Sequence, residues 1–331
     1  MTSKERVIAA LTFKEFDRVP VEFDDCCGLN CDYPNWFIGD PVNKKGRHTD
    51  AWGCVWEALE DGVCGEVKSH PLANVGDEWP DLSKFTPPYH VLDNVKIHEP
   101  KEHSDKFIVN CWEPAMPNLF ERMQHLRGTE QLYIDIVMDD EELYHLRDTL
   151  MEYYMKQWEM WCKSSVDAVQ IHDDWGSQRS LLIRPDTWRK IFKPMYRRFC
   201  DMAHRYGKFV LMHSDGYIMD IIPDLIEIGV NAINSQLFCM PIEKLFDMYH
   251  HKICFWGEID RQYIQVFGTT DEMRAAVRRI YNAFSKYGNT GFVAQCYYTM
   301  NTPQCNMDAE RDEWEKINRE IAMQRKQSLL Q

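Results

Sequence analysis

Apolar positions in the second half of the chain fall in short unbroken runs, each followed by a longer stretch of helical periodicity. The clearest is Lys208-Phe-Val-Leu-Met-His-Ser-Asp-Gly216. Its four consecutive apolar residues suit a strand covered on both faces, and its polar triplet then meets a turn glycine. The same pattern predicts strands at 166–171, 208–212, 230–234, 252–256 and 291–295. Helices are expected over about 185–205, 219–228, 241–249, 270–286 and 308–324. Pro185 starts the first of these, and Thr-Thr-Asp-Glu starts the fourth as a capped terminus. Gly207, Gly229 and Gly288 read as stops. Five β-then-α units, with crossovers long enough for a helix, predict an α/β fold with parallel strands. No Gly-rich phosphate loop follows any strand, so a closed (β/α)8 TIM barrel is favoured over an open doubly wound sheet.

The first half is less regular. Residues 1–11 read as an amphipathic helix opened by a Ser/Thr cap. Arg18–Phe23 and Lys106–Asn110 look like early barrel strands, and 141–163 is a long amphipathic helix. Residues 26–105 are rich in Pro, Gly, Asp and Trp with weak periodicity, and are expected to form a lid over the barrel mouth within one domain spanning 1–331.

Charge narrows the partners. A net charge of -14 argues against a nucleic-acid surface, which needs clustered Lys and Arg, and against an anionic membrane. No uncharged run approaches the ~20 residues of a membrane helix, and the amino terminus has no signal-peptide core. The 12 cysteines include several inside apolar patterns, such as Cys111, Cys162, Cys200 and Cys254. A reduced, cytoplasmic chain is the expectation.

Chemistry-bearing residues collect where strands end, which is where α/β barrels place their sites. His213 and Asp215 close one strand, Glu258 follows another and Cys296 a third. An imidazole, a carboxylate and a thiolate form a plausible zinc set with one position open, the carboxylate being Asp215 or Glu258. The blander alternative has His213 bonded to backbone, Asp215 as a cap and Cys296 as packing. His172-Asp173-Asp174 closes the strand at 166–171 and offers general acid–base groups, or else an Asx turn. Trp112, Trp175, Phe238, Trp256, Tyr297 and Tyr298 are candidates for an apolar slot around a flat ring, and Asn234 and Gln236 for orienting a substrate.

Several segments resemble uroporphyrinogen decarboxylase-like proteins. They are Ser3–Pro20, Asp50-Ala-Trp-Gly53, His213-Ser-Asp-Gly216 with Ile222–Gly229, and Trp256-Gly-Glu-Ile-Asp-Arg-Gln262 with Gly268-Thr-Thr-Asp-Glu. The resemblance runs over nearly the whole chain and implies a TIM barrel. It divides between metal-free decarboxylases and cobalamin-dependent methyltransferases. The arginine-rich Gly-Arg-Tyr motif that grips substrate carboxylates in the decarboxylases is absent, and Glu22-Phe-Asp-Asp-Cys-Cys-Gly28 stands there instead. The methyltransferase branch implies zinc held by His-x-Cys plus a late Cys. His213 and Cys296 match that pattern, and Asp215 replaces the middle Cys. A harder oxygen ligand suits an ether oxygen better than a soft thiolate. The resemblance therefore implies an O-demethylase-type methyltransferase, with the corrinoid carried by a partner protein and a homodimer as an open option. The alternatives are a metal-free decarboxylase or lyase, and transfer from the corrinoid to a thiol or tetrahydrofolate.

Overall fold

The computed structural model describes residues 1–29, 31–32, 44–63, 65–98, 105–110, 117–299 and 301–328. In chain order the strands are β1 (Cys26–Leu29), β2 (Cys31–Asp32), β3 (Gly46–Thr49), β4 (Val55–Ala58), β5 (Glu66–Ser69) and β6 (Lys96–Ile97). They continue as β7 (Phe107–Asn110), β8 (Ala168–His172), β9 (Phe209–Ser214), β10 (Ala232–Ser235), β11 (Cys254–Gly257) and β12 (Phe292–Ala294). Seven of them form one parallel sheet in the order β1-β7-β8-β9-β10-β11-β12. After β7, spatial order follows chain order, the arrangement that successive right-handed crossovers produce.

The sheet curls back on its own beginning. Val21 makes a parallel bridge to Ala294, and the Ala294 amide donates to the Pro20 carbonyl at 2.9 Å. Among the described residues this closure is a single bridge, so an α/β fold with a curled parallel sheet of seven strands stands where eight were expected. The first expected strand is cut short because the chain turns into the helix Glu22–Asp25 directly after Val21.

Strands β7, β10, β11 and β12 are buried along their whole length, which is why they read as unbroken apolar runs. Helices fill the crossovers. The expected helix over 185–205 is two helices, Pro185–Ile191 and Lys193–Arg205. Pro194 sits in the first turn of the second, where its missing N–H is tolerated but the preceding helix cannot run through it. The amino-terminal helix Ser3–Leu11 has the expected Ser/Thr cap at Thr2, which the structure extends to a capping box, with Thr2 and Glu5 each accepting from the other's amide.

The segment 26–105, expected as a lid, is partly described, and its start is not an insertion: Cys26–Leu29 joins the main sheet as β1 because it pairs in parallel with β7. Further along, β3, β4 and β5 make an antiparallel sheet, and β2 pairs antiparallel with β6. Trp52 packs edge-on against Tyr153 at 4.8 Å, while the Cys54 thiol and His70 both bond the His125 carbonyl. Asp50 accepts from Trp52 N and Cys54 N at 2.9 Å, and from the indole of Trp56 and the Arg122 guanidinium. Asp50-Ala-Trp-Gly53 is thus the joint that fastens this segment to the helices Leu119–Arg127 and Glu141–Lys163.

Candidate active site

The carboxyl ends of the parallel strands open into a cavity of about 760 Å³. Its wall takes Glu22, Phe23, Cys26, Cys27 and Gly28 from the first turn and β1, Val109 from β7, and His172 and Asp174 from β8. His213 and Asp215 come from β9, Asn234 from β10, Glu258 and Arg261 from after β11, and Gln295, Cys296 and Tyr297 from after β12. Residues that enter in register on neighbouring strands meet here. His172 pairs with His213, and Asn234 pairs with both His213 and Trp256. The described residues of 44–98 contribute nothing to this wall.

His172, Asp174 and His213 bring one ligand atom each within 4.8 Å of one another. The two imidazoles lie 4.3 Å apart. Burial, with the neighbouring His213 next, pushes His172 down to about 3, so its ring is neutral and has a lone pair to offer. His213 Nδ1 lies 2.5 Å from Asn234 Oδ1, and its Nε2 faces Asp174 Oδ1 at 3.6 Å and Asp215 Oδ1 at 3.5 Å. Two imidazole nitrogens and a carboxylate are a donor set that suits the zinc the sequence resemblance implies.

The other expected ligands sit differently. Asp215 is bound by the Arg261 guanidinium, and Arg261 Nε lies 2.6 Å from Glu258. Burial pushes Glu258 up to about 8, against the pull of Arg261 and with added repulsion from Asp215. Cys296 lines the cavity beside Glu310 and Tyr298, and burial together with Glu310 pushes its thiol well up. Asp173 faces away from the cavity. It is fully buried and accepts from the amides of Phe120 at 2.8 Å and Glu121 at 2.9 Å, and from the Tyr196 hydroxyl at 2.5 Å.

Of the expected ring-slot residues, Trp175 is fully buried, stacked on Phe120 at 4.2 Å with its indole donating to Tyr196. Trp256 is buried behind the wall and donates to Glu22 Oε2 at 2.9 Å. The Tyr298 hydroxyl donates to the Met307 carbonyl, whereas its neighbour Tyr297 faces the cavity. Trp112 lies outside the described residues. Asn234 lines the wall, and Gln236 instead accepts from the Gly216 amide at 3.2 Å.

Sequence reasoning passed over Glu22, Gln295 and Arg261. Burial raises Glu22 to about 7, although the Trp256 and Gln295 side chains both donate to it. Glu22 sits just past the Val21 bridge, so the end-of-strand rule that selected His213 selects it too. Arg261 belongs to the segment 256–262 already singled out for its resemblance, three residues after Glu258.

No curated protein sequence matches the chain. Among solved structures, a methyltransferase from Methanosarcina mazei superposes with a TM-score of 0.70 at 16% identity, over 96% of this chain and 99% of that one. At that identity the likeness is one of fold. A 3-keto-D-glucoside 4-epimerase from E. coli matches at a TM-score of only 0.37 and 13% identity, covering 64% of this chain and 97% of that one. A family model for uroporphyrinogen decarboxylase (URO-D) matches residues 120–314, more than half of the 331 residues and the segment that holds β8 to β12. The chain therefore belongs to the uroporphyrinogen decarboxylase (URO-D) family.

Proposed function

We propose that the protein is a methyltransferase that moves a methyl group from a methoxylated aromatic to the Co(I) corrinoid of a separate partner protein. The observation that carries the reading is the convergence of His172, Asp174 and His213 on one point of the cavity wall. Family membership and the methyltransferase-like fold support it. So does the size of the cavity, which at about 760 Å³ falls in the range of small-ligand sites. The wall also argues against a tetrapyrrole polyacid: among the described residues Arg261 is the one Lys or Arg lining it, and Asp215 and Glu258 both engage it.

Asp174 is the carboxylate of choice for the metal, because Arg261 holds both Asp215 and Glu258. Zinc bound to His172, Asp174 and His213 would supply Lewis acidity to an ether oxygen whose departure as a phenolate is unfavourable, its conjugate acid lying near the tyrosine value of about 10. Glu22 and Glu258 are the wall carboxyls raised to neutrality or above; Arg261 holds Glu258, and the proton of Glu22 is the one available to a leaving oxygen. Phe23, Val109 and Tyr297 give the wall its apolar stretches, which orient a flat ring and displace water.

The test is metal analysis of the purified protein and of His213→Ala, followed by methyl transfer from methoxyarenes to Co(I) cobalamin. About one zinc per chain, lost in the variant together with turnover, is the expected result. A folded, zinc-supplemented protein that binds no metal would sink the Lewis-acid reading in favour of a metal-free decarboxylase or lyase. Zinc binding without transfer from any methoxyarene would turn attention to the reverse direction, from the methylated corrinoid to a thiol.

A further inference from the structure

The hydrogen bonds around Asn234 leave its amide one orientation. Its Nδ2 donates to the Trp256 carbonyl at 2.8 Å and to Gln295 Oε1 at 2.6 Å. A backbone carbonyl only accepts, so the Trp256 bond alone assigns which end of the amide is nitrogen. Gln295 agrees with it, because its own side chain donates to Glu22 and so turns its oxygen toward Asn234. Asn234 is buried, and a reversed amide would set its oxygen against two acceptors, the Trp256 carbonyl and Gln295 Oε1, and lose both bonds. Oδ1 is therefore the atom that faces His213, 2.5 Å from Nδ1.

We propose that Asn234 is a positioning residue that holds neutral His213 as the tautomer with its hydrogen on Nδ1, keeping the Nε2 lone pair open toward His172 and Asp174. Without Asn234 the balance would tip the other way. Nε2 lies 3.6 Å from Asp174 Oδ1 and 3.5 Å from Asp215 Oδ1, so a small side-chain movement would bring either carboxylate within reach of an Nε2–H. That arrangement occupies the nitrogen a metal needs. Partners of this kind commonly set metal affinity by 10–100-fold. Asn234 thus acts on the imidazole and not on substrate. The step from tautomer to metal rests on the reading that His213 is a ligand, while the tautomer itself does not.

The experiment is ¹⁵N NMR of histidine-labelled, metal-free protein at a pH well above the usual imidazole value of about 6.5, with His213 assigned by its loss in His213→Gln. The expected spectrum has His213 protonated on Nδ1. Asn234→Leu should move the proton to Nε2 or mix the two forms and weaken zinc binding by about 10–100-fold. Asn234→Asp, which still accepts at that position, should keep the Nδ1–H form, and it serves as the readout if the leucine variant does not fold. An Nε2–H tautomer in the unmodified protein, or an Nδ1–H form that survives Asn234→Leu, would overturn the proposal. A tautomer that switches as expected in a protein that never binds zinc would uphold Asn234's role and defeat the metal reading.

Discussion

Asp173 sits between two proposed metal ligands in sequence, yet in the structure it is a fold-holding group, and Asp173→Ala tests that directly. Its carboxyl satisfies the Phe120 and Glu121 amides at the start of the helix Leu119–Arg127 and takes the Tyr196 hydroxyl bond. Removing it strands the buried Phe120 amide and the part-buried Glu121 amide, at roughly 1–3 kcal/mol each. The hydroxyl is left in contact with the Trp175 indole at 3.0 Å, so it loses less. The expected destabilisation is about 3–5 kcal/mol, or a Tm lowered by roughly 5–10 °C for a chain of this size. Tyr196→Phe should cost about 2–4 kcal/mol, because the two amides keep their acceptor while the buried Trp175 indole N–H loses its own. The double variant should cost less than the two singles added, since Asp173→Ala already forfeits the Tyr196 bond. Denaturant unfolding of the four proteins is the assay. Strict additivity, or a loss below about 1 kcal/mol for Asp173→Ala, would refute the arrangement and return Asp173 to the candidates for acid–base chemistry.

Two further outcomes are expected. Gly216 has φ +77°, and a Cβ there would collide with the backbone of Gly176 and Ser177. Gly216→Ala should therefore destabilise by about 2 kcal/mol or more and displace Asp215 from Arg261. An unchanged Tm would mean that the β8 and β9 turns are not locked together. Burial alone would raise Asp17, but the bonds and charge of Arg6 and of the terminal ammonium outweigh it and hold Asp17 at about 2. With an unfolded value near about 3.9, its contribution is present above about pH 4 and is lost as pH falls through about 2. Asp17→Asn should flatten the acid limb of the stability–pH curve in that window, and a limb identical to the unmodified protein would exclude the Arg6 pairing.

The parallel strands were legible because burial on both faces writes itself as an unbroken apolar run, and β7 to β12 sit close to where those runs lie. Caps and stops were legible for the same local reason: Thr2, Thr269 and Gly229 satisfy or terminate a helix through residues near them in the chain. Strand ends also marked His172, Asp174, His213, Asp215, Asn234, Glu258 and Cys296 as cavity residues. What local pattern does not carry is direction. Asp173 and Asp174 are adjacent and chemically identical, yet one caps a helix and the other faces the cavity. Trp175 looked like a mouth residue and is core.

The sequence by itself determined the alternation of strand and helix, the acidic character of the site and the residue types that close each strand. Those follow from periodicity and from chemistry confined to a few neighbouring positions. Only the tertiary structure decided which of those groups meet. Arg261 ties Asp215 to Glu258 across β9 and β11, and Asn234 connects His213 to Trp256 and Gln295. Apart from Arg261 and Glu258, three positions apart, these contacts join residues 21 to 61 positions apart. They are set by strand register in the curled sheet, which no single segment of the chain encodes.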